Sequence, residues 1–316
     1  MTQAPIRRTT PAPSAQPQSA ADTLAVPLGT TGEIGDWVLT ETIAAGAVTR
    51  VYRARPRGAS VSPPAYAIKV LQKEWESNPH AVGLIRREAM VGRRVAHPHL
   101  IAVLAAGTFS PPYYVVMPLL HGNTLGRWLV QRPRLDPPLA FWIARQTAEA
   151  LGALHRAGWM HGDVKPENIF VSPDGHVTLL DLGFARRTDG SDRHTAHRLM
   201  GTSYYLAPEL AARPSRWDIR SDLYSLGVLL FEMLAGQRPF GGTSPCDVLQ
   251  QHRQSRAPDL RPLAPGLPED AYVLVRQLLA KEPLRRPTDP AEVVARLVAL
   301  EIATFTERTL VSGPAR

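Results

Sequence analysis

The order of hydrophobic and polar positions divides the chain into two parts with different periodicity. In the first part, short runs rich in β-branched and aromatic residues alternate with turn residues, and they predict strands at residues 37–43, 49–54, 66–71, 101–105 and 113–117. One helical segment interrupts these strands, because Val82, Ile85 and Ala89 recur at helical spacing within residues 79–95. The first part is therefore expected to be a small, mainly β unit with one helix.

After residue 117 the periodicity becomes mostly helical. Residues 141–156 repeat apolar side chains at the spacing of one helix face, and Gly158 follows at a position where helices commonly end. The same criteria predict helices at residues 218–234, 245–254, 269–280 and 290–302, and a strand at 177–180. A larger, mainly α part thus follows the β part.

Both ends of the chain differ from these two parts in composition. The first residues are rich in Thr, Pro, Ala, Ser and Gln and contain few large apolar side chains. Such a segment cannot bury enough apolar surface to fold, so residues 1–35 are predicted to be a disordered tail. The folded domain is expected to cover residues 36–303, with a short C-terminal tail at 304–316.

The composition of the 316-residue chain is that of a globular protein, with 44% hydrophobic and 20% charged residues. Cys246 is the single cysteine, so the sequence offers no internal disulfide and no Cys/His metal site. No signal peptide opens the sequence, and the longest apolar run, residues 223–234, is interrupted by Glu232 and too short to span a membrane. These features predict a cytoplasmic location and no membrane span.

The formal net charge of +8 raises the question of nucleic-acid binding. The basic residues are spread along the chain and form no block interleaved with aromatic residues, so no nucleic-acid partner is expected. Only four of the 36 basic residues are lysines. A chain that uses arginine almost everywhere retains lysine where a compact ammonium is needed.

Lys69 lies inside an apolar strand, where an unpaired ammonium would be costly. Glu88, on the predicted helix 19 residues later, is the best candidate partner. A Lys69–Glu88 pair would leave the ammonium available to phosphate oxygens. The alternative is that Lys69 extends to solvent and that Glu88 is an exposed helix residue.

A polar, proline-containing loop at residues 159–168 supplies further chemistry. It carries Asp163, Lys165 and Asn168 within six residues. Asp181 ends a later strand run, two residues before a glycine, and a carboxylate there is well placed to hold a hard cation, with Asn168 as a second oxygen ligand. An A-P-E sequence follows at residues 207–209.

The order A-I-K-V, H-x-D-x-K-x-x-N, D-x-G and A-P-E resembles the protein kinase catalytic domain, and most closely the bacterial eukaryotic-like (Hanks-type) Ser/Thr kinases. The resemblance covers residues 36 to about 302. It implies an α+β, two-lobed protein kinase fold with a mainly β N-lobe (36–117), a hinge (118–121) and a mainly α C-lobe (122–303). The implied cofactors are ATP and Mg²⁺.

The resemblance also implies roles for individual residues. Lys69 would hold the ATP phosphates and pair with Glu88, while Asp163, assisted by Lys165, would orient or accept the substrate hydroxyl proton. Asn168 and Asp181 would hold Mg²⁺. The residues expected to cover the phosphates or surround the adenine are Ala44, Ala45, Gly46, Ala47, Thr49, Val51, Ala67, Met117, Pro118, Leu120 and Phe170.

Three further residues are expected to be structural by the same resemblance. Glu209 and Arg286 would form a buried ion pair that braces the C-lobe, and Asp222 would support the backbone of the catalytic loop. Thr202 would hydrogen-bond to Asp163 and Lys165.

The chain departs from the kinase pattern at three places. The G-x-G-x-x-G-x-V loop keeps only its central glycine, Gly46, so that loop alone is a weak signal. Gly162 precedes Asp163 where many kinases have an arginine, which puts control by a phosphorylated activation loop in doubt. Gly92 stands where the family usually has an apolar side chain, and we expect it to leave a gap and to make the helix that carries Glu88 easily displaced.

The main hypothesis is a Mg-ATP-dependent serine/threonine protein kinase that phosphorylates proteins, including itself. Its rival is a pseudokinase or scaffold that binds partners through a kinase fold. A small-molecule phosphotransferase is disfavoured by the peptide-groove segment at residues 201–209. Autophosphorylation is expected between residues 183 and 206, at Thr188, Ser191, Thr195, Thr202 or Ser203. The phosphate would then be bound by an arginine of the same segment, Arg186, Arg187, Arg193 or Arg198. Thr9, Thr10, Thr306 and Thr309 could attract a phosphothreonine-binding partner.

Overall fold

The computed structural model describes residues 32–58, 65–191, 203–211 and 218–310, with side chains through residue 305. Its first part is an antiparallel sheet of six strands in the order β1-β2-β3-β4-β6-β5. The strands are β1 (Gly32–Ile34), β2 (Trp37–Ala45), β3 (Thr49–Pro56), β4 (Tyr66–Leu71), β5 (Ala105–Gly107) and β6 (Tyr114–Pro118). Helix α1 (Pro79–Arg94) packs against this sheet and begins at Asn78, whose side chain accepts hydrogen bonds from the first turn.

Two details of this part differ from the prediction. Strand β1 lies within the range that the sequence assigned to the tail, because Ile34 joins a small core with Ile68 and Val116. The apolar run predicted as a strand at 101–105 forms strand only from Ala105. Ile101 instead donates its N–H to the Leu179 carbonyl of the second part, and the side chains of Ile101 and Val103 are buried.

The second part is mainly helical. Its helices are α2 (Leu125–Gln131), α3 (Pro137–Arg156), α4 (Ile219–Ala235), α5 (Pro245–Gln254), α6 (Glu269–Leu278) and α7 (Pro290–Leu310). Short strands β7 (Asn123–Thr124), β9 (Ile169–Val171) and β10 (Val177–Leu179) form one small sheet, and β8 (Trp159–Met160) pairs with β11 (Arg186–Arg187). The predicted α+β architecture, with a mainly β first part and a mainly α second part, is thereby confirmed.

Helix α4 is the centre of the second part. Tyr224 and Phe231 are fully buried within it, and nearly every other position of the helix is buried as well. A helix enclosed on all sides needs apolar residues all round, which explains the long apolar run of the sequence. Among the described residues, no helix is long and apolar enough to cross a membrane.

Helices α2 and α7 differ from the prediction made from hydrophobic periodicity. Helix α2 has seven residues, too few for a periodic pattern, and is started by the Thr124 hydroxyl, which accepts a hydrogen bond from Arg127 N–H. Helix α7 continues to Leu310, eight residues beyond the predicted end, and so extends into the range assigned to the C-terminal tail. Thr304 is buried in this extension and donates to the Leu300 carbonyl.

Candidate active site

A cleft of about 1120 Å³ lies between the two parts of the molecule. Most of the predicted site residues line it: Ala44, Ala45, Gly46, Thr49, Val51, Ala67, Lys69, Glu88, Met117, Pro118, Leu120, Lys165, Asn168, Phe170 and Asp181. Ala47 and Asp163 do not belong to the lining. The Ala47 carbonyl accepts a hydrogen bond from the Trp75 indole, and Asp163 contacts Lys165 and Asn168, which do line the cleft.

Lys69 reaches the cleft from the middle of strand β4. Its ammonium lies 2.8 Å from Glu88 Oε2 on α1 and 2.9 Å from Asp181 Oδ1. The predicted pair with Glu88 is therefore confirmed, and the second ion pair with Asp181 was not predicted. One ammonium thus lies between two carboxylates at the back of the cleft.

The titration of this cluster follows from its burial. Burial alone would lower the pKa of Lys69, but the charges of Asp181 and Glu88 raise it above its ordinary value. Burial raises the pKa of Glu88, with Lys69 opposing that rise. Burial would also raise the pKa of Asp181, but the charge of Lys69 outweighs it and lowers that pKa. Lys69 and Asp181 are thus both held in their charged forms.

Asp163 is fixed from two directions by the loop that carries it. Lys165 Nζ lies 2.7 Å from Asp163 Oδ2. The amide nitrogen of Asn168 donates to the Asp163 carbonyl at 2.8 Å and to Oδ2 at 2.9 Å. Since its nitrogen is used in this way, the carbonyl oxygen of the Asn168 amide remains available on the opposite side of the group.

The backbone of the loop is held by Asp222, as the kinase resemblance implied. Its carboxylate accepts the N–H of His161 at 2.7 Å and of Gly162 at 2.8 Å. Burial raises the pKa of the Asp222 carboxyl, and the nearby His161 and the two N–H donors oppose that rise.

The ring of His161 connects the loop to the strand that precedes Asp181. Its Nδ1 accepts the Asp163 N–H at 3.2 Å, so Nε2 carries the proton and donates to the Leu180 carbonyl at 2.9 Å. The loop of Asp163 and the turn of Asp181 are therefore joined by one imidazole.

Two backbone conformations in the site are unusual. Gly162 has φ of 77°, a left-handed conformation that costs an L-amino acid with a side chain about 1 kcal/mol or more. Glycine at this departure from the family pattern thus relieves backbone strain. Asp181 adopts φ of 61° without being glycine, and its carboxylate accepts the Gly183 N–H at 3.2 Å. Such strain in a polar residue is common at functional sites.

The predicted brace of the larger part is present. Arg286 is buried and forms two parallel contacts with the Glu209 carboxylate, at 2.7 and 2.8 Å. The Ser221 hydroxyl donates to the same carboxylate at 2.7 Å. This bidentate arrangement fixes the A-P-E segment to helix α4 and to the residues before α7.

At the predicted hinge, Pro118 ends strand β6 and pairs with Tyr66, so the missing proline N–H lies at the end of the ladder. The Leu119 N–H donates to the Ala65 carbonyl at 3.0 Å. No described residue accepts a hydrogen bond from Leu120 N–H, which borders the cleft.

The expectation of a gap at Gly92 was wrong. A Cβ built on Gly92 would lie 2.5 Å from Val103 Cγ2 and 3.4 Å from Leu182 Cδ1. Val103 therefore fills the volume that a side chain at position 92 would need. With the Lys69–Glu88 pair formed and this space filled, the described structure gives no support to a displaced α1.

Arg127, Glu167 and Arg238 carried no recognisable sequence signal. They line the cleft together with Tyr204 and Tyr205 of the predicted peptide-groove segment. The Arg238 guanidinium lies over the Tyr204 ring, 3.6 Å from its centroid. These residues come from separate elements, so only the folded chain brings them together.

The segment with the expected phosphorylation sites is described in part. Thr188, Ser191 and Ser203 lie within the described residues, and Arg187 pairs with Asp189 at 3.0 Å. The predictions for Thr195, Thr202, Arg193 and Arg198 fall outside the described residues, as do those for Thr9 and Thr10 and for the side chains of Thr306 and Thr309.

Comparison with known proteins adds independent findings. The protein kinase domain family model matches residues 37–298. A probable serine/threonine-protein kinase of Clostridium perfringens is 32% identical over 259 residues, 82% of this chain and 37% of that protein. PknL of Mycobacterium tuberculosis is 33% identical over 258 residues, 82% of this chain and 64% of PknL. PrkC of Bacillus subtilis is 30% identical over 220 residues, 70% of this chain and 34% of PrkC. This chain thus spans little more than a third of the first of these relatives.

Proposed function

The chain belongs to the protein kinase family, and from that premise we propose that it is a serine/threonine protein kinase, which transfers the γ-phosphate of ATP to hydroxyl groups of proteins, itself included. Kinases of this family use ATP with a divalent metal ion and act on protein substrates. The observation that carries the proposal is the arrangement of two charged clusters, around Lys69 and around Asp163, at the same cleft.

ATP would lie with its adenine toward the hinge and its phosphates toward Lys69. Val51, Ala67, Met117 and Phe170 provide an apolar surface for the base. The Pro118 carbonyl and the Leu120 N–H are the backbone groups that would pair with it. The turn of Ala44, Ala45, Gly46, Ala47 and Thr49 would cover the phosphates, and its small side chains would let the backbone come close to them.

Asn168 and Asp181 would hold the metal ion, which we propose to be Mg²⁺. The fit rests on two observations: the Asn168 amide turns its nitrogen to Asp163, and the contacts of Asp181 with Lys69 and Gly183 fall on Oδ1. One oxygen of each residue is thus left for a cation. Mg²⁺ held by these two residues would take its remaining ligands from phosphates and water. When bound, the metal would neutralise phosphate charge during transfer.

Asp163 would orient the substrate hydroxyl and accept its proton. Lys165, at 2.7 Å from the carboxylate, provides positive charge where the transferred phosphoryl group passes. The transition state of phosphoryl transfer is loose and highly charged, so alignment and charge neutralisation supply most of the catalysis. Phosphothreonine formed on the chain itself would be the recognition site of a phosphothreonine-binding partner.

The rival hypothesis, a pseudokinase scaffold, is disfavoured on two grounds. The catalytic set Lys69, Glu88, Asp163, Asn168 and Asp181 is complete, and Lys165 accompanies it. The relatives that match most of this chain are named serine/threonine-protein kinases.

The experiment is transfer of radiolabelled phosphate from ATP to a generic basic protein in the presence of Mg²⁺. Wild type is expected to label the protein and itself, Asp163→Ala to label neither, and Asp270→Ala, at an exposed position of α6, to match wild type. Equal labelling by wild type and Asp163→Ala, or none by wild type, would contradict the proposal. Mass spectrometry of residues 183–206 after incubation with ATP tests the self-modification separately.

A further inference from the structure

Helix α7 is apolar on its outer face as well as on its inner face. The inner face, which includes Val293, Leu297 and Leu300, is buried where α7 packs against α3 and α6. The outer face presents seven exposed residues, and none of them is polar: Ala291, Ala295, Val298, Ala299, Ile302, Ala303 and Phe305. Ile302 is 71% exposed and Phe305 59% exposed. A helix that is apolar on all sides is normally buried, so this outer face is expected to have a cover.

The charged residues of α7 flank the outer face and are paired within the same chain. Glu301 accepts a hydrogen bond from Arg145 on α3 at 2.7 Å. Arg296 donates to the side chain of Gln277 on α6 and lies 4.0 Å from Glu292. The seven residues of the outer face therefore carry no charge. A nucleic acid, an anionic lipid surface or a charged peptide would require one, so the partner that fits is a neutral, apolar surface.

The order of side chains along the outer face makes it complementary to a reversed copy of itself. Ala291 and Ala295 lie in its first half, Ile302 and Phe305 in its second half, and Val298 in the middle. If a second α7 lay antiparallel with the two Val298 side chains facing each other, each Phe305 would lie over an Ala291 and each Ile302 close to an Ala295. Large side chains would then fill the space left by small ones, which is how helix surfaces interdigitate.

Electrostatics favours the same orientation. An α-helix carries partial positive charge at its N-terminus and partial negative charge at its C-terminus. In an antiparallel pair each N-terminus lies beside the C-terminus of the other helix, whereas a parallel pair would place like ends together.

The size of the outer face sets the expected strength of the pairing. Residues 291–305 extend over about 22 Å of helix, at a rise of 1.5 Å per residue. Two helices in contact over this length bury less than the roughly 800 Å² per partner of a stable interface. The pair should therefore be reversible and form only at micromolar concentrations or above.

We propose that the outer face of α7 is the interface of a weak homodimer, in which two copies of the chain pair antiparallel about a two-fold axis at Val298. Because both copies contribute the same patch, the interface closes on itself and makes a dimer and not a filament. None of the residues of the outer face lines the active cleft. The interface goes beyond the proposed kinase function and does not depend on it.

The first test is sedimentation velocity of the full chain over a concentration range of about 5 to 500 μM, which brackets a weak association. The mean mass of wild type is expected to rise from that of one chain toward that of two. Ile302→Glu places a charge in the contact and should raise the dissociation constant by at least about tenfold. Val130→Glu, at an exposed position of α2, is the matched control and should associate like wild type. A monomeric wild type over the whole range, or unchanged association of Ile302→Glu, would overturn the proposal.

Cysteine crosslinking tests the orientation. Cys246 is exposed and is first replaced by serine, so that each variant carries one cysteine. In the proposed pair the two copies of position 298 face each other, so Val298→Cys should form a disulfide-linked dimer under mild oxidation. The two copies of position 291 would lie about 20 Å apart, so Ala291→Cys should not crosslink to itself but should crosslink to Phe305→Cys when the two variants are mixed. Equal crosslinking of Ala291→Cys and Val298→Cys alone, or none in Val298→Cys, would contradict the antiparallel dimer.

Discussion

The two walls of the active cleft are built in different ways. The turn over the proposed phosphate position, residues 44–47, is exposed and is held through its backbone: Gly46 N–H donates to Thr49 carbonyl at 2.9 Å, and the Gln72 amide donates to the Gly46 carbonyl at 2.7 Å. The opposite wall, around Asp163, is held through side chains such as Asp222 and His161, which are almost completely buried. Residue identity therefore matters far more on the second wall.

This difference explains why the glycine-rich turn tolerates its departures from the kinase pattern. Alanine at position 44 and threonine at 49 replace family glycines on the wall that acts through its backbone. On the other wall, each of Asp163, Lys165 and Asn168 makes a specific side-chain contact, and none departs from the pattern. Four predictions test the contrast, beginning with the largest expected effect.

Asp181→Asn should reduce the rate of phosphate transfer about 10³-fold, because it removes a proposed metal ligand and the charge that faces Lys69. Steady-state rates measured against Mg²⁺ concentration would show a weakened dependence on the metal. Asp270→Asn is the matched control. A loss smaller than tenfold would mean that Asp181 does not hold the metal.

Lys69→Met should lower the free energy of unfolding by about 3–5 kcal/mol, since it leaves Glu88 and Asp181 buried without their shared cation. Urea denaturation measures this change. Lys73→Met, at an exposed position just after strand β4, should stay within about 0.5 kcal/mol of wild type. Equal effects of the two substitutions would show that the buried cluster contributes little to stability.

His252 should make stability depend on pH. Burial, followed by the charge of Lys281, lowers the pKa of His252 to about 4, from an ordinary value of 6.5. Between these values the unfolded chain binds a proton that the folded chain does not, so stability falls as the pH decreases from 6.5 to 4, by at most about 3 kcal/mol.

The measurement is the free energy of unfolding of wild type and His252→Gln across this range. The slope should be smaller in this variant, whereas His80→Gln, at an exposed position of α1, should retain the wild-type slope. An unchanged slope in His252→Gln would show that protonation of His252 does not contribute to the pH dependence of stability.

A pair of glycine substitutions compares the two walls directly. Gly162→Ala should cost about 1–2 kcal/mol of stability because of its φ of 77°. Gly46→Ala should cost less than about 1 kcal/mol and change activity little, because its φ is ordinary and an added Cβ would meet only the Thr49 carbonyl, at 3.4 Å. Melting temperatures of both variants provide the test. A larger loss from Gly46→Ala would reverse the comparison.

The sequence predicted the charged residues of the site better than the contacts that hold them in place. Asp163, Lys165 and Asn168 lie within six residues, and Lys69 stands out as a charge in an apolar strand, so both signals are local. The Lys69–Asp181 contact and the packing of Val103 against Gly92 depend on how distant segments of the chain meet. Hydrophobic periodicity describes single elements and does not predict such contacts. Strand β1 and helix α2 were missed because they are too short to show a period.

We expect the buried wall around Asp163 to act in phosphoryl transfer and not merely to bind nucleotide. Asp163→Asn keeps the size of the side chain and removes its negative charge, so ATP binding and transfer can be measured on the same variant. For Asp163→Asn we expect an ATP dissociation constant within about threefold of wild type and a transfer rate lower by about 10²–10⁴-fold. Wild-type transfer by Asp163→Asn, with ATP bound equally well, would contradict it.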